Sequence, residues 1–143
     1  MSDVESVMKM IKENDLAVSG ESGMQAIVQL LSTMDVNDCG AFLELEVTSE
    51  KDAIVAATTW KQRQDEEQVP QLVLMLDNFG PERSKEMVRE LTEMGLRDAA
   101  VLEASGNIVF EDLEAWRECG VDVLSTSAIN RGTAPLDVSM LID

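Results

Sequence analysis

The sequence predicts an α/β fold arranged as a partial (β/α) barrel of alternating parallel strands and helices. Two observations predict it. Short apolar runs with strand character alternate with stretches of helical periodicity, an order that gives a parallel sheet with right-handed crossovers. Each run also ends in a polar signature: Phe42-Leu43-Glu44-Leu45-Glu46-Val47, Leu74-Met75-Leu76-Asp77-Asn78, Val101-Leu102-Glu103-Ala104-Ser105-Gly106 and Val121-Asp122-Val123-Leu124-Ser125-Thr126-Ser127. In (β/α) barrels the C-terminal strand ends gather at one mouth, where the chemistry sits. A closed barrel takes eight units and about 200 residues or more, so the 143 residues here fit a single domain, residues 1–143, of roughly half that size.

Taken in order, residues 1–11 read either as a helix, from apolar positions 4, 7, 8 and 11, or as a short strand over Val7 to Ile11. Asn14, Asp15, Ser19, Gly20 and Ser22 mark a loop over 12–22. With Ser22 as N-cap, Met24, Ile27, Val28, Leu31 and Met34 follow helical spacing, which predicts a helix over 22–34. A turn at 37–40 leads to a strand over 41–47. Ser49 caps the next helix, and Glu50 and Asp52 stand in its first turn, where the helix dipole favours negative charge. That helix is expected to fade into the polar stretch Lys61 to Gln68. Gln71 to Leu76 is nearly all apolar, as a strand buried on both faces requires. Gly80 and Pro81 open a helix, since proline suits the first helical position, and Gly95 closes it. A strand over 99–102, a helix over 110–118 with Leu113 and Trp116 inward, a strand over 121–125 and a final element of undetermined type over 135–142 complete the series. Met24, Met34, Met87 and Met94 fall at helical spacing and read as core packing rather than a recognition surface.

Composition narrows the function classes. With 28 acidic against 11 basic residues the net charge is −17, which lacks the basic footprint of a nucleic-acid binder and disfavours an anionic membrane. No apolar run approaches membrane-spanning length. Met1 to Glu5 is acidic, unlike the start of a signal peptide. Cys39 and Cys119 lie far apart and outside any metal-ligand spacing, and read as buried free thiols of a reducing cytoplasm. The absence of His and Tyr removes the commonest general base, so any chemistry falls to carboxylates, Lys, Arg, hydroxyls, backbone amides or a bound cation.

Glu46 and Asp77 end successive strands. Two carboxylates at a parallel-sheet mouth suit a hard cation such as Mg²⁺, which takes oxygen ligands and keeps waters and substrate phosphates; capping the next helix or facing water is the alternative. Glu44 shares a strand face with Glu46, so one of the pair could be purely structural. Ser105-Gly106-Asn107 follows a strand and precedes a short helix, a setting where backbone amides and a helix dipole favour phosphate. Ser125-Thr126-Ser127 offers further donors at the next strand end, and barrels often hold phosphate at their last two βα loops. Lys12 and Arg131 are cations near expected loop mouths; the plain alternative is solvated charge.

Together these signatures resemble the catalytic barrel of quinolinate phosphoribosyltransferase, also called nicotinate-nucleotide diphosphorylase (carboxylating). The matching segments are Met10-Ile11-Lys12-Glu13-Asn14-Asp15, Glu44-Leu45-Glu46-Val47, Met75-Leu76-Asp77-Asn78-Phe79, Leu102-Glu103-Ala104-Ser105-Gly106-Asn107-Ile108, Gly120-Val121-Asp122-Val123-Leu124-Ser125 and Ala134-Pro135-Leu136-Asp137-Val138-Ser139. They occur in family order over about residues 7–143, the C-terminal half of a typical member. The resemblance implies that Lys12 contacts substrate. It implies that Glu46 and Asp77 hold Mg²⁺ and the ribose hydroxyls of 5-phosphoribosyl 1-diphosphate. Ser105, Gly106, Ser127 and Arg131 would serve its phosphates. The implied reaction joins quinolinate to the phosphoribosyl group with loss of diphosphate and CO₂, in NAD biosynthesis.

Departures from the family pattern are Asp15 where His is common, Asn107 as the third residue of a Ser-Gly-Gly turn, Ser127 for Gly, and Arg131 for a nearby His. The family's residues that grip quinolinate have no counterpart here. The resemblance therefore implies a homo-oligomer or a partner chain supplying the N-terminal half. A non-catalytic relative that binds a phospho-ligand or a protein partner is the second reading. A doubly wound signalling module with Asp77 as phosphoacceptor is the third, weakened because no Lys ends the last strand.

Overall fold

The structure is a computed structural model, and it describes residues 8–11 and 23–128. Lys12, Ser22, Arg131, the 12–22 loop and the final element over 135–142 lie outside the described residues. Within them the order is β1 (Met8–Ile11), α1 (Gly23–Thr33), β2 (Phe42–Val47), α2 (Glu50–Glu66), β3 (Gln71–Asp77), α3 (Gly80–Glu93), β4 (Ala100–Ser105), α4 (Leu113–Trp116) and β5 (Val123–Ser125). Single 3₁₀ turns precede β2, β4 and α4. The ambiguous N-terminal segment is thus a strand over 8–11.

The five strands form one sheet in the order β1-β2-β3-β4-β5, and each neighbouring pair is parallel. A doubly wound module reverses its strand order at a switch point; this sheet has none, which removes the signalling-module reading. Right-handed crossovers between sequential strands place every connecting helix on one face, as in an arc of a (β/α) barrel.

Register defines the two faces. Leu43, Leu45 and Val47 of β2 sit beside Leu72, Leu74 and Leu76 of β3, which sit beside Ala100, Leu102 and Ala104 of β4. All are buried, and all but Ala104 belong to a core shared with Ala53, Ala56, Ala57 and Trp60 of α2, Ile27 and Leu31 of α1, and Met87 and Leu91 of α3. The alanines let α2 lie close to the sheet. A smaller cluster of Ala104, Ile108, Trp116 and Cys119 lies beneath the β4–α4 turn. Cys39 and Cys119 are both buried.

Local chemistry sets several boundaries. Ser49 Oγ accepts the Asp52 amide at 3.2 Å and donates to its carboxylate at 2.6 Å, which caps α2. Pro81 occupies the first turn of α3. Gly95, at φ +71°, ends α3: its amide donates to the Thr92 carbonyl at 3.0 Å and that of Leu96 to Leu91 at 2.8 Å, the double closure of a Schellman motif.

Four expectations need correction. α2 does not fade at Lys61 but runs to Glu66, because its polar end is held by the rest of the fold. Arg63 Nη1 donates to the Leu31 and Met34 carbonyls, each at 2.9 Å, at the end of α1, and Gln64 Nε2 donates to the Ala99 carbonyl at 3.1 Å. Met34 and Met87 are core, but Met24 and Met94 are 42% and 51% exposed. The buried arc of α1 centres on Ala26, Ile27 and Leu31, leaving Met24 on its flank, while Met94 lies past the last turn of α3. The expected helix over 110–118 is a 3₁₀ turn and a single α turn; Trp116 is buried, and Leu113 faces solvent. The last two strands are displaced toward the mouth: β4 spans 100–105 and β5 123–125. No helix among the described residues is long and apolar enough to cross a membrane.

Candidate functional site

The sheet face turned away from the helices carries the polar strand residues. Period-two alternation and the register stack them in layers. Met10, Glu44, Val73 and Val101 form one layer, Glu46, Met75, Glu103 and Val123 the next, and Asp77, Ser105 and Ser125 the outermost, at the C-terminal mouth. Glu44 is 5% exposed and lies deepest of the acids, in keeping with a structural role, whereas Glu46 is only half-buried. Glu46 and Asp77 share this face but not a layer. Strand spacing and rise put their Cα atoms about 8 Å apart on the diagonal.

At the mouth Asp77 is held from two sides. Ser105 Oγ donates to its Oδ1 at 3.2 Å and Asn78 Nδ2 to its Oδ2 at 2.9 Å. Each carboxylate oxygen keeps a second lone pair for a ligand. Asn78, at φ +56°, donates its amide to the Ser105 carbonyl at 3.0 Å and accepts from Asn107 Nδ2 at 3.0 Å. Gly106 has φ +86°, and a Cβ there would stand 2.6 Å from Asn78 Cγ and closer still to its Oδ1. The glycine is required by the neighbouring strand end, whatever else approaches its amide. Asn107 also has positive φ, +52°, a conformation asparagine tolerates, so this departure from glycine keeps the backbone path of the turn.

The expected help from a helix dipole after Ser105 is absent: residues 106–109 are irregular, a 3₁₀ turn follows, and α4 spans only Leu113–Trp116. What the turn offers instead is a cleft of about 670 Å³, lined among others by Asn78, Gly106, Asn107, Ser125, Thr126 and Ser127. Its donors are hydroxyls, amides and side-chain amides. Thr126 Oγ1 donates to the Ile108 carbonyl at 2.6 Å and accepts the Ala128 amide at 3.0 Å, which ties the β5 end to the β4 turn. Ser125 Oγ donates to Glu103 Oε1 in a short hydrogen bond.

The structure thus brings together Asp77, Ser105, Gly106 and Ser127, with Glu46 one layer deeper; Lys12 and Arg131 lie outside the described residues. Among the described residues no group of three or more Cys, Asp or Glu is placed to hold a metal ion, so a protein-only cage is not present there. Glu46 and Asp77 lie on one face of the sheet, one strand and one layer apart, and Mg²⁺ takes carboxylate oxygens together with waters and substrate phosphates. Sequence reasoning missed Asn78 and Glu103. Glu103 was within reach, since it alternates with Ser105 on the same strand face. Asn78 was not, because two of its three partners, Ser105 and Asn107, belong to the next strand and its turn.

Beneath the site, Asp122 fastens β5 to β4. Its Oδ2 accepts the Leu102 amide at 2.8 Å, its Oδ1 accepts Arg97 Nη2 at 2.7 Å, and its own amide donates to the Leu102 carbonyl at 2.9 Å. Burial pushes the Asp122 carboxyl up, but the Arg97 guanidinium and the Leu102 amide together outweigh it and hold the group below its usual value. On the other flank Arg83 pairs with Glu50 at 2.8 Å and lies 4.2 Å over the Phe79 ring, binding α3 to the start of α2. The hydrogen bond from Arg83 holds the Glu50 carboxyl below its usual range.

Residues 3–141 match the family described as quinolinate phosphoribosyl transferase, C-terminal domain. The chain is 33% identical over 133 residues to the probable nicotinate-nucleotide pyrophosphorylase (carboxylating) of Archaeoglobus fulgidus, covering 93% of this chain and 45% of that protein. It is 31% identical over 135 residues to the protein of the same description from Methanothermobacter thermautotrophicus, covering 93% of this chain and 43% of the relative. The chain therefore spans a little under half the length of these curated relatives.

Proposed function

Because the chain belongs to the family of quinolinate phosphoribosyltransferase C-terminal domains, we propose that it forms the phosphate-holding half of a phosphoribosyl-transfer site of NAD biosynthesis. In this reading it takes 5-phosphoribosyl 1-diphosphate with Mg²⁺ at the mouth formed by β3, β4 and β5. The observation that carries it is the register that aligns Asp77, Ser105 and Ser125 in one layer, next to a cleft lined by Gly106, Asn107 and Ser127. The relatives named above are described as carboxylating pyrophosphorylases, and that description supports the choice of substrates.

Asp77, oriented by Ser105 and Asn78, accepts from the ribose hydroxyls. The turn that Ser105 opens presents the Gly106 amide, and with it the amide and hydroxyl of Ser127, to phosphate oxygens, and Lys12 and Arg131 add positive charge. Glu46 and Asp77 would hold the cation, which when bound would offset the charge on the departing diphosphate. As the bond from ribose C1 to diphosphate breaks, positive charge develops on the ribosyl group, and the inward carboxylates Glu46, Asp77 and Glu103 stabilise it electrostatically. The ring nitrogen of quinolinate then bonds to C1, and CO₂ is lost. The quinolinate carboxylates need cationic partners beyond those of this mouth, supplied by further protein. On this reading the chain is incomplete alone.

Calorimetric titration of 5-phosphoribosyl 1-diphosphate into the purified chain, with and without Mg²⁺, tests the proposal. Saturable Mg²⁺-dependent binding is expected, and Asp77→Ala should abolish it while leaving the circular dichroism spectrum intact. Binding unchanged in that variant would refute the role of Asp77. No binding to the unaltered chain at millimolar ligand would refute a self-sufficient phosphate site and favour a non-catalytic relative or an obligate subunit.

A further inference from the structure

We propose that Asn78 is a positioning residue that locks the Asp77 carboxylate and the Ser105–Asn107 turn into one geometry. The inference rests on the reading that this mouth takes phosphoribosyl diphosphate with Mg²⁺. Asn78 works in three directions. Its Nδ2 donates to Asp77 Oδ2 at 2.9 Å, its Oδ1 accepts from Asn107 Nδ2 at 3.0 Å, and its backbone amide donates to the Ser105 carbonyl at 3.0 Å. Gly106 packs so close to this side chain that a single added carbon would displace it.

Only a carboxamide serves both side-chain bonds, since one end must donate to a carboxylate and the other must accept from an amide. The group that orients a ribose-binding carboxylate on β3 is therefore the same group that sets the path of the phosphate turn after β4. A ligand bridging the two meets them at a fixed separation, and this kind of pre-set geometry favours binding by avoiding the cost of ordering on association.

The test is Asn78→Asp in the full chain. Aspartate keeps the side-chain shape and tolerates positive φ, but it sets a second carboxylate oxygen against Asp77. The reciprocal double variant, Asp77→Asn with Asn78→Asp, restores the bond between side chains 77 and 78 with donor and acceptor exchanged, while the bonds donated by Ser105 and Asn107 each still find an acceptor oxygen. In the ligand-free protein, Asn78→Asp should displace the Gly106 and Asn107 backbone amide resonances, and the double variant should return them toward their original positions. A residue that merely filled space would show no such rescue. By calorimetry, Asn78→Asp should weaken Mg²⁺-dependent phosphoribosyl diphosphate binding at least tenfold. Resonances that stay in place in Asn78→Asp, or that fail to return in the exchange, overturn the proposal, as does undiminished affinity. If the unaltered chain binds no phosphoribosyl diphosphate, the functional reading is what fails, and the resonance experiment still decides whether Asn78 governs the turn.

Discussion

Replacing Gly106 with alanine should destabilise the protein by about 2–3 kcal/mol, and the structure says where that energy goes. At φ +86° an alanine carries a conformational penalty of about 1 kcal/mol relative to glycine. Its Cβ would also expel the Asn78 side chain, breaking the bonds to Asp77 and Asn107 at 2.9 and 3.0 Å. Each is worth roughly 0.5–1 kcal/mol net. For a chain of this size the sum corresponds to a fall in Tm of roughly 5–10 °C. Urea denaturation followed by tryptophan fluorescence is the assay, because Trp60 lies in the main core and Trp116 in the small cluster under the turn. The discriminating measurement repeats the substitution in an Asn78→Gly background, where the side chain in the way is gone and positive φ at position 78 is still permitted. There the cost of Gly106→Ala should shrink toward about 1 kcal/mol, the conformational part, with the tight approach of the new Cβ to the backbone nitrogen of residue 78 at 3.1 Å the contact that remains. An equal cost in both backgrounds would refute the crowding between Gly106 and Asn78 as the origin of the glycine requirement.

Two further outcomes follow from other parts of the fold. The Asp122 carboxyl is held below its unfolded value, so its contribution is fully present above about pH 4 and is lost as pH falls through the depressed folded value. Asp122→Asn should therefore lower stability at neutral pH and flatten the acid limb of a stability-against-pH curve measured by urea unfolding; an unchanged acid limb would count against the Arg97–Asp122 clasp. Ser84 in α3 is fully buried and its Oγ has no hydrogen-bond partner among the described residues. Ser84→Ala removes that unsatisfied group and should raise stability by roughly 1 kcal/mol, seen as a higher urea midpoint at constant slope; a lower midpoint would show that the hydroxyl is satisfied in solution.

The parts of this molecule that sequence reasoning reached are those set by neighbours a few residues away. Ser49, Pro81 and Gly95 mark helix ends by bonds and backbone angles confined to one or two turns, and they stand where expected. The end of α2 does not obey such a rule, since Arg63 and Gln64 are fixed by carbonyls of α1 and of the segment before β4. The same division runs through the candidate site. Position at the end of a strand was enough to single out Glu46 and Asp77, and a turn signature to single out Ser105 and Gly106. The depth of Glu46 relative to Asp77, and the role of Asn78, depend on how one strand is registered against the next, and no local pattern encodes that. The methionines fail for a related reason: helical spacing defines a stripe but not the angle at which the helix meets the sheet.

The sequential strand order has a kinetic consequence. Each strand pairs with the one that immediately precedes it in the chain, so every pairing closes a loop of roughly 20–35 residues and none must wait for a distant segment to arrive. Such a sheet grows by accretion, one unit laid on the last. The outermost layer of the mouth, Asp77, Ser105 and Ser125, belongs to the third, fourth and fifth strands, with Glu46 one layer deeper on the second. Its geometry is therefore assembled from one uninterrupted stretch of chain, and a folding intermediate in which β1 is still unpaired would already hold Asp77, Asn78, Ser105 and Gly106 in register.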